Sequence, residues 1–118
     1  MKKAILIDVD NKTITNVIVT KNDGSYLESI YAHLKCNMVE IVIFGVNDIY
    51  VNEEGLLNLD HDSNFFIYNG VPQPLAGNGL IMGYDDATGD SIDTTLSIDE
   101  VAENVLFYNV YEVIAMNK

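Results

Sequence analysis

Residues 4–20 read Ala4-Ile5-Leu6-Ile7-Asp8-Val9-Asp10-Asn11-Lys12-Thr13-Ile14-Thr15-Asn16-Val17-Ile18-Val19-Thr20. Two runs rich in β-branched and aliphatic residues, Ala4 to Val9 and Ile14 to Thr20, flank the polar triplet Asp10-Asn11-Lys12. Such residues suit a pleated, half-buried surface, and the triplet has the composition of a tight turn. In the second run Val17 and Val19 fall on one face, with Ile14 and Ile18 towards the other. The stretch predicts an antiparallel hairpin, and with it a sheet whose connections are short.

The rest of the chain extends that reading. Asn22-Asp23-Gly24-Ser25 is a breaker cluster that predicts a helix start, with Ser25 capping and Glu28 completing a capping box. Leu27, Ile30, Tyr31 and Leu34 then follow the i, i+3, i+4, i+7 spacing of a helix with one buried face. The helix should stop near Lys35-Cys36-Asn37, where Asn tolerates a left-handed backbone. Val39 to Phe44 predicts a strand, Asn47-Asp48 a turn, Ile49-Tyr50-Val51 a partner strand, and Glu53-Glu54-Gly55 a further turn. Phe65 to Tyr68 is a short strand pattern. Val71 to Gly79 holds both prolines and two glycines and predicts the main loop. Leu80-Ile81-Met82 reads as a strand closed by a turn over Asp85 to Asp90. Ser97-Ile98-Asp99-Glu100 is a second capping box, opening a helix with Ile98, Val101, Ala102 and Val105 on one face. Leu106 to Ile114, rich in β-branched and aromatic residues, predicts a last strand. The sum is one compact α+β domain over residues 1–118, with two short helices on a mostly antiparallel sheet.

The composition limits what such a domain can bind. The chain has 118 residues, 48% of them apolar, which is enough for a core. Six basic residues, all lysines, stand against 18 acidic ones, for a formal net charge of -12. From Cys36 to Asn117 there are 14 carboxylates and neither a lysine nor an arginine. Recognition of nucleic acid or anionic membrane depends on a basic stripe, commonly with arginine, so both classes of partner are disfavoured. A cationic protein surface would be attracted instead. The single cysteine, Cys36, excludes an internal disulfide. After Lys2-Lys3 the apolar run is broken at Asp8 and Asp10, too short for the core of a secretory signal, and no run approaches a membrane span of about 18 residues. These features lead to the expectation of a cytoplasmic protein.

The charged clusters have local explanations that compete with functional ones. Asp60-His61-Asp62-Ser63-Asn64 copies the opening of an EF-hand loop. However, Phe65 stands where that loop requires glycine and Val71 where it requires a bidentate glutamate, so a polar turn is expected. Asp85-Asp86-Ala87-Thr88-Gly89-Asp90, running on to Asp93, has the form of a hairpin turn with a glycine at positive φ. Asp99, Glu100 and Glu103 lie on the second helix, where acidic residues near the start complement the helix dipole. His33 and Cys36, three residues apart, form a weak candidate nucleophile pair, since cysteine is among the most buried residue types. Gly77-Asn78-Gly79 lacks the lysine and hydroxyl residue of a phosphate loop. The segment Pro72-Gln73-Pro74-Leu75-Ala76-Gly77-Asn78-Gly79 is stiffened by its prolines. It suits either recognition or plain connection.

Several segments together resemble a family of small phage- and plasmid-encoded proteins known as the domain of unknown function 3846. They are the helix through Tyr31 and Leu34, the strand Met38 to Phe44, the run Ile49-Tyr50-Val51-Asn52-Glu53-Glu54-Gly55-Leu56, and the glycine-bounded strand Gly79-Leu80-Ile81-Met82-Gly83. The resemblance covers roughly residues 25–86. The chain departs from the pattern at Leu57-Asn58-Leu59 and in running on past residue 104. The resemblance brings no activity and no catalytic residues; it implies a mobile-element setting and hence an accessory or counter-defence role.

The leading expectation is therefore a non-enzymatic protein, without cofactor, metal or catalytic residues, that acts through its acidic surface. Clustered carboxylates can imitate the phosphates of DNA, so the expected partner is a basic host protein, such as the nucleic-acid channel of a nuclease or CRISPR effector. The candidate contact residues are Glu53, Glu54, Asp60, Asp62, Asp85, Asp86, Asp90 and Asp93. A second expectation is a small-ligand or nucleotide-sequestering module walled by the Pro72–Gly79 loop and Tyr50, Tyr68 and Tyr84. A third is a structural role with homodimerisation through Leu106 to Ile114, anchored by Tyr108 and Tyr111.

Overall fold

The computed structural model describes residues 1–44, 46–55 and 59–116, with backbone alone at 43 and 44. The expected hairpin is present: β1 (Lys2–Asp8) pairs antiparallel with β2 (Thr13–Val19), Ile5 opposite Asn16. A second hairpin joins β3 (Val39–Phe44) to β4 (Asn47–Asn52). The strand that unites them comes late. β7 (Gly79–Tyr84) lies between β1 and β4, pairing Ile81 with Ile5 on one side and with Ile49 on the other. Its last two residues pair with β8 (Ser91–Ile92). The main sheet thus runs β2-β1-β7-β4-β3 with β8 attached to β7, and every pairing in it is antiparallel. β5 (Asn64–Tyr68), β6 (Leu75–Ala76) and β9 (Val105–Asn109) form a smaller antiparallel sheet in the order β6-β5-β9.

Side-chain alternation decides how these layers stack. Ile5, Ile7, Ile49, Val51 and Ile81 point from the main sheet towards Phe66, Tyr68, Val71 and Leu75 of the smaller-sheet region. Val101 of α2 (Ile98–Asn104) closes the same core. Ala4, Val19, Tyr50, Leu80 and Met82 point the opposite way, onto Ile30 and Leu34 of α1 (Leu27–Leu34). The outer face of the small sheet carries Phe65 and Ala76, which are covered by Val110 and Val113 of α3 (Val110–Met116). As anticipated, Val17 and Val19 share the α1 side and Ile14 the other, while Ile18 is exposed.

The architecture is α+β, with three helices among the described residues in place of the two expected. The additional helix replaces most of the predicted last strand. β9 stops at Asn109, whose side chain accepts from the Glu112 N–H (2.9 Å) while Glu112 accepts from the Asn109 N–H (3.0 Å). This reciprocal cap starts a helix, and Val110 and Val113, three apart, then pack on Phe65.

Other boundaries moved for local reasons. Asn47 and Asp48 open β4 and are buried, so they are not the turn. Asn47 spends its amide on Thr94 and Thr95, which removes the solvent-facing local bonding that makes asparagine a turn former. α1 begins at Leu27 after the N-cap Tyr26, which makes no side-chain cap bond. Ser25 accepts from the Leu27 N–H, and Glu28 takes the Asn22 amide instead of completing a box. Its left-handed C-cap is Lys35 (φ 55°), not Asn37. The second capping box forms as expected between Ser97 and Glu100, but Val105 leaves that helix to open β9. The predicted main loop contains β6. Leu57 and Asn58, where the chain departs from the family pattern, lie outside the described residues.

Gly79 sets the distance between the two sheets. A Cβ there would stand 2.5 Å from Phe66 Cζ, well inside van der Waals contact. Phe66 is fully buried, so its ring has nowhere to retreat. Gly79→Ala should lower stability by about 1–3 kcal/mol, the usual cost of overpacking, read as a reduced urea midpoint. In a Phe66→Leu background the added methyl finds room, so the cost of Gly79→Ala should shrink in a double-mutant cycle.

Candidate functional site

The strand registers place the acidic candidates at two separate ends of the main sheet. Val51 pairs with Gly79, so the turn carrying Glu53 and Glu54 follows β4 at the Gly79 end. Ile7 also pairs with Gly79, which brings Asp8 and Asp10 to that end. Asp60 and Asp62 join them: with Asp10, Asn52, Gly55, Ser63, Asn64 and Gly77 they line a recess of about 310 Å³. Asp85, Asp86, Asp90 and Asp93 instead follow β7 beyond Tyr84. The length of β7 separates the groups by about 17 Å, at 3.4 Å per residue.

The two ends differ in their cations. Lys2 and Lys21 line an open cleft of about 410 Å³ together with Asp90, Ser91, Tyr26 and Tyr50. Lys3 donates its backbone N–H to the Asp93 carboxylate (2.8 Å). Carboxylates with no lysine near them in sequence therefore have lysines near them in space. At the Gly79 end, Lys12 sits in the turn of the first hairpin and Lys35 lies close enough to act on Asp8. Partial burial works against the Asp8 charge, but the Asn11 side chain, the Asn11 and Asp10 N–H groups and Lys35 outweigh it and hold the carboxyl below its usual range. His61 Nε2 stands 3.4 Å from Asp62 Oδ2, with both side chains exposed.

Several carboxylates also serve the backbone. Asp60 Oδ1 accepts from the Asp62 N–H (2.8 Å), and the Asp60 N–H donates to Ser63 Oγ (2.9 Å), which closes a polar turn. Asp85 accepts from the Ala87 N–H (2.9 Å) in a hairpin turn with Gly89 at φ 75°. Among the described residues no group of three or more His, Cys, Asp and Glu side chains converges on a point where it could hold a metal ion.

The remaining candidates also find places. His33 Nε2 donates to the Ile18 carbonyl (3.0 Å). Burial pushes the Cys36 thiol up, against a smaller pull from the Met38 N–H. An activated nucleophile needs the opposite shift. Tyr50 faces α1, whereas Tyr68, on β5 of the small sheet, packs against the other face of the main sheet, so they lie on opposite sides of it and cannot wall one pocket. The second half of the Pro72–Gly79 segment is fastened to its neighbours. Leu75 and Ala76 pair with β5, the Gly77 N–H donates to the Asn64 carbonyl, and Asn78 Oδ1 accepts from the Val9 N–H (3.0 Å). These bonds fit connection better than recognition. Tyr108 is half-buried against Phe65, whereas Tyr111 is exposed.

Asp48 is the residue that sequence reasoning missed as a special site. It is 4% exposed, and its Oδ1 has no hydrogen-bond partner among the described residues. Burial, with a smaller push from the Asp86 charge, raises its carboxyl above the usual aspartate range. A readable signal was the acidic residue at the head of the apolar run Ile49-Tyr50-Val51.

The fold and the site together describe an all-antiparallel α+β protein with exposed carboxylates in turns at both ends of its sheet. The model of the family described as Domain of unknown function (DUF3846) matches residues 1–106, and the chain belongs to that family. The match extends beyond the central resemblance to include the first hairpin, α2 and the start of β9. No curated protein and no solved structure matches the chain. Among the described residues no helix is long and apolar enough to cross a membrane.

Asp48 yields a pH-dependent prediction. Its folded carboxyl holds its proton more tightly than the unfolded one, so its penalty is absent below the unfolded value of about 3.9. The penalty grows as pH rises from there and is complete above the raised folded value. Asp48→Asn should therefore be close to neutral for stability in strong acid and stabilising by on the order of 1 kcal/mol at pH 7. Urea melts of both proteins across that range measure the difference.

Proposed function

We propose that this protein is a non-catalytic binding protein that captures a basic protein surface through the Gly79 end of its main sheet. The contact residues are Asp10, Glu53, Glu54, Asp60 and Asp62. The contrast between the two ends carries this reading. Lys2 and Lys21 sit in the cleft beside Asp90, whereas the recess formed by Asp10, Asp60 and Asp62 has no lysine in its lining. A net charge of -12 steers cationic partners towards the protein from a distance, and an uncompensated acidic recess gives them a place to dock. In the mobile-element setting that the family resemblance implies, the partner is a nucleic-acid-binding effector of the host, acting in the cytoplasm, and its occupation is inhibitory.

Two charge-matched variants test this. Asp60→Lys/Asp62→Lys and Asp85→Lys/Asp86→Lys change the net charge equally but at opposite ends. Immobilised wild-type protein should retain basic nucleic-acid-binding host proteins at low salt and release them at high salt. The first variant should lose most of this retention and the second should keep it. No retention by wild type at low salt, or equal loss in both variants, refutes the assignment.

A second reading rests on the lysine-bearing cleft. Lys2 and Lys21 offer positive charge to a small anion in a cleft that Tyr26 and Tyr50 also line, and α1 starts there without a side-chain cap. Screening nucleotides by thermal shift checks it. A ligand that occupies the cleft must raise the melting temperature of wild type and lose that effect in Lys2→Gln/Lys21→Gln.

A further inference from the structure

Three large apolar side chains are exposed together beside the acidic recess. Tyr111 is 64% exposed, Ile114 52% and Leu59 41%. They border a groove of about 480 Å³, floored by Phe65, Val110 and Val113. Asp60 and Leu59 line both this groove and the acidic recess, so the two share a wall. The groove owes its apolar side to α3, at residues 110–116, which lies beyond the stretch matched by the family. The acidic recess lies within that stretch.

Apolar surface clustered in this way marks an interaction site. The charges around it select among occupants. The wall shared with the recess is acidic, with Asp60 lining the groove, Asp62 the recess, and His61 paired to Asp62 between them. A second copy of a chain with net charge -12 would bring like charge to that wall, which is repulsive. A neutral apolar segment would bury the groove and leave the carboxylates beside it facing a low-dielectric neighbour without counter-charge. A segment with apolar residues on one side and lysine or arginine on the other satisfies both halves.

We propose that the groove between α3 and the 59–65 segment seats the apolar face of a basic amphipathic segment, whose cationic residues reach the Asp10–Asp60–Asp62 recess. This deepens the proposed function, on which it rests, by naming the form of the basic partner. The recess, which lies within the family-matched stretch, supplies attraction to cations. In this chain α3 adds the apolar half that distinguishes one basic partner from another.

The test uses two synthetic probes of equal positive charge, a leucine–lysine amphipathic peptide and an oligolysine, with binding followed by fluorescence anisotropy. Wild-type protein should bind the amphipathic peptide roughly tenfold tighter than the oligolysine, as expected for burying a large apolar side chain. Tyr111→Ser/Ile114→Ser should abolish that preference and leave the oligolysine affinity in place. Both positions are more than half exposed, and an unchanged melting temperature verifies that the variant folds. Equal affinity of wild type for the two probes, or a preference that survives in the variant, overturns the inference while leaving the charge-based function standing if Asp60→Lys/Asp62→Lys still weakens oligolysine. Insensitivity of oligolysine to that charge variant counts instead against the proposed function. A wild-type dimer in light scattering that Tyr111→Ser/Ile114→Ser converts to monomer assigns the groove to a second copy and overturns the inference.

Discussion

The ring of Phe66 lying against the bare backbone of Gly79 sets the spacing on which the rest of the molecule depends. Gly79 opens the central strand of the main sheet, and Phe66 belongs to the middle strand of the smaller one. Where a side chain would hold two sheets about 10 Å apart, the missing Cβ lets one aromatic ring settle into the other sheet's surface. Around that point Ile5, Ile7, Ile49 and Ile81 close against Tyr68, Val71 and Leu75. Burial of this apolar surface is the main favourable term in a protein that must also hold together under strong self-repulsion.

That repulsion is managed by position. The five described lysines lie before residue 36 in sequence, yet the antiparallel registers return Lys2, Lys3 and Lys21 to the end of the sheet where Asp90 and Asp93 emerge. The opposite end receives Lys12, in the turn of the first hairpin, and Lys35, which acts on Asp8, but neither lines the recess of Asp10, Asp60 and Asp62. Asp48 stands apart from this surface pattern. It is enclosed on the α1 side of the sheet next to Met82, where a carboxylate weakens the fold.

The sequence made some elements readable and concealed others, for reasons that can be traced to individual residues. The first hairpin and the box of Ser97 and Glu100 were legible because their signals are local: alternation over a few residues, and a cap three residues from its partner. The start of β4 was not, because Asn47 acts like a turn residue until Thr94 and Thr95, far along the chain, occupy its amide. The last helix was hidden by its β-branched valines, although Asn109 and Glu112 carried the cap spacing in plain view. The acidic candidates could be named from sequence, but their division between two ends depends on strand register, which no local pattern encodes. The pairing of Leu59 with Tyr111 and Ile114 across one groove is invisible for the same reason.

The position of β7 also governs the order of events during synthesis. The two hairpins that flank it are complete by Asn52, but they have no common neighbour until residues 79–84 leave the ribosome. Until then each exposes an unpaired strand edge, β1 with Ile5, Leu6 and Ile7 on one and β4 with Ile49, Tyr50 and Val51 on the other. The small sheet waits longer still, since its third strand ends at Asn109. Long-range closure of this kind slows folding and leaves sticky edges open to other chains. The first 52 residues hold five lysines and six carboxylates, so the charge that keeps copies of the finished chain apart accrues only as the later segments emerge, and the open edges are at first almost unprotected by it.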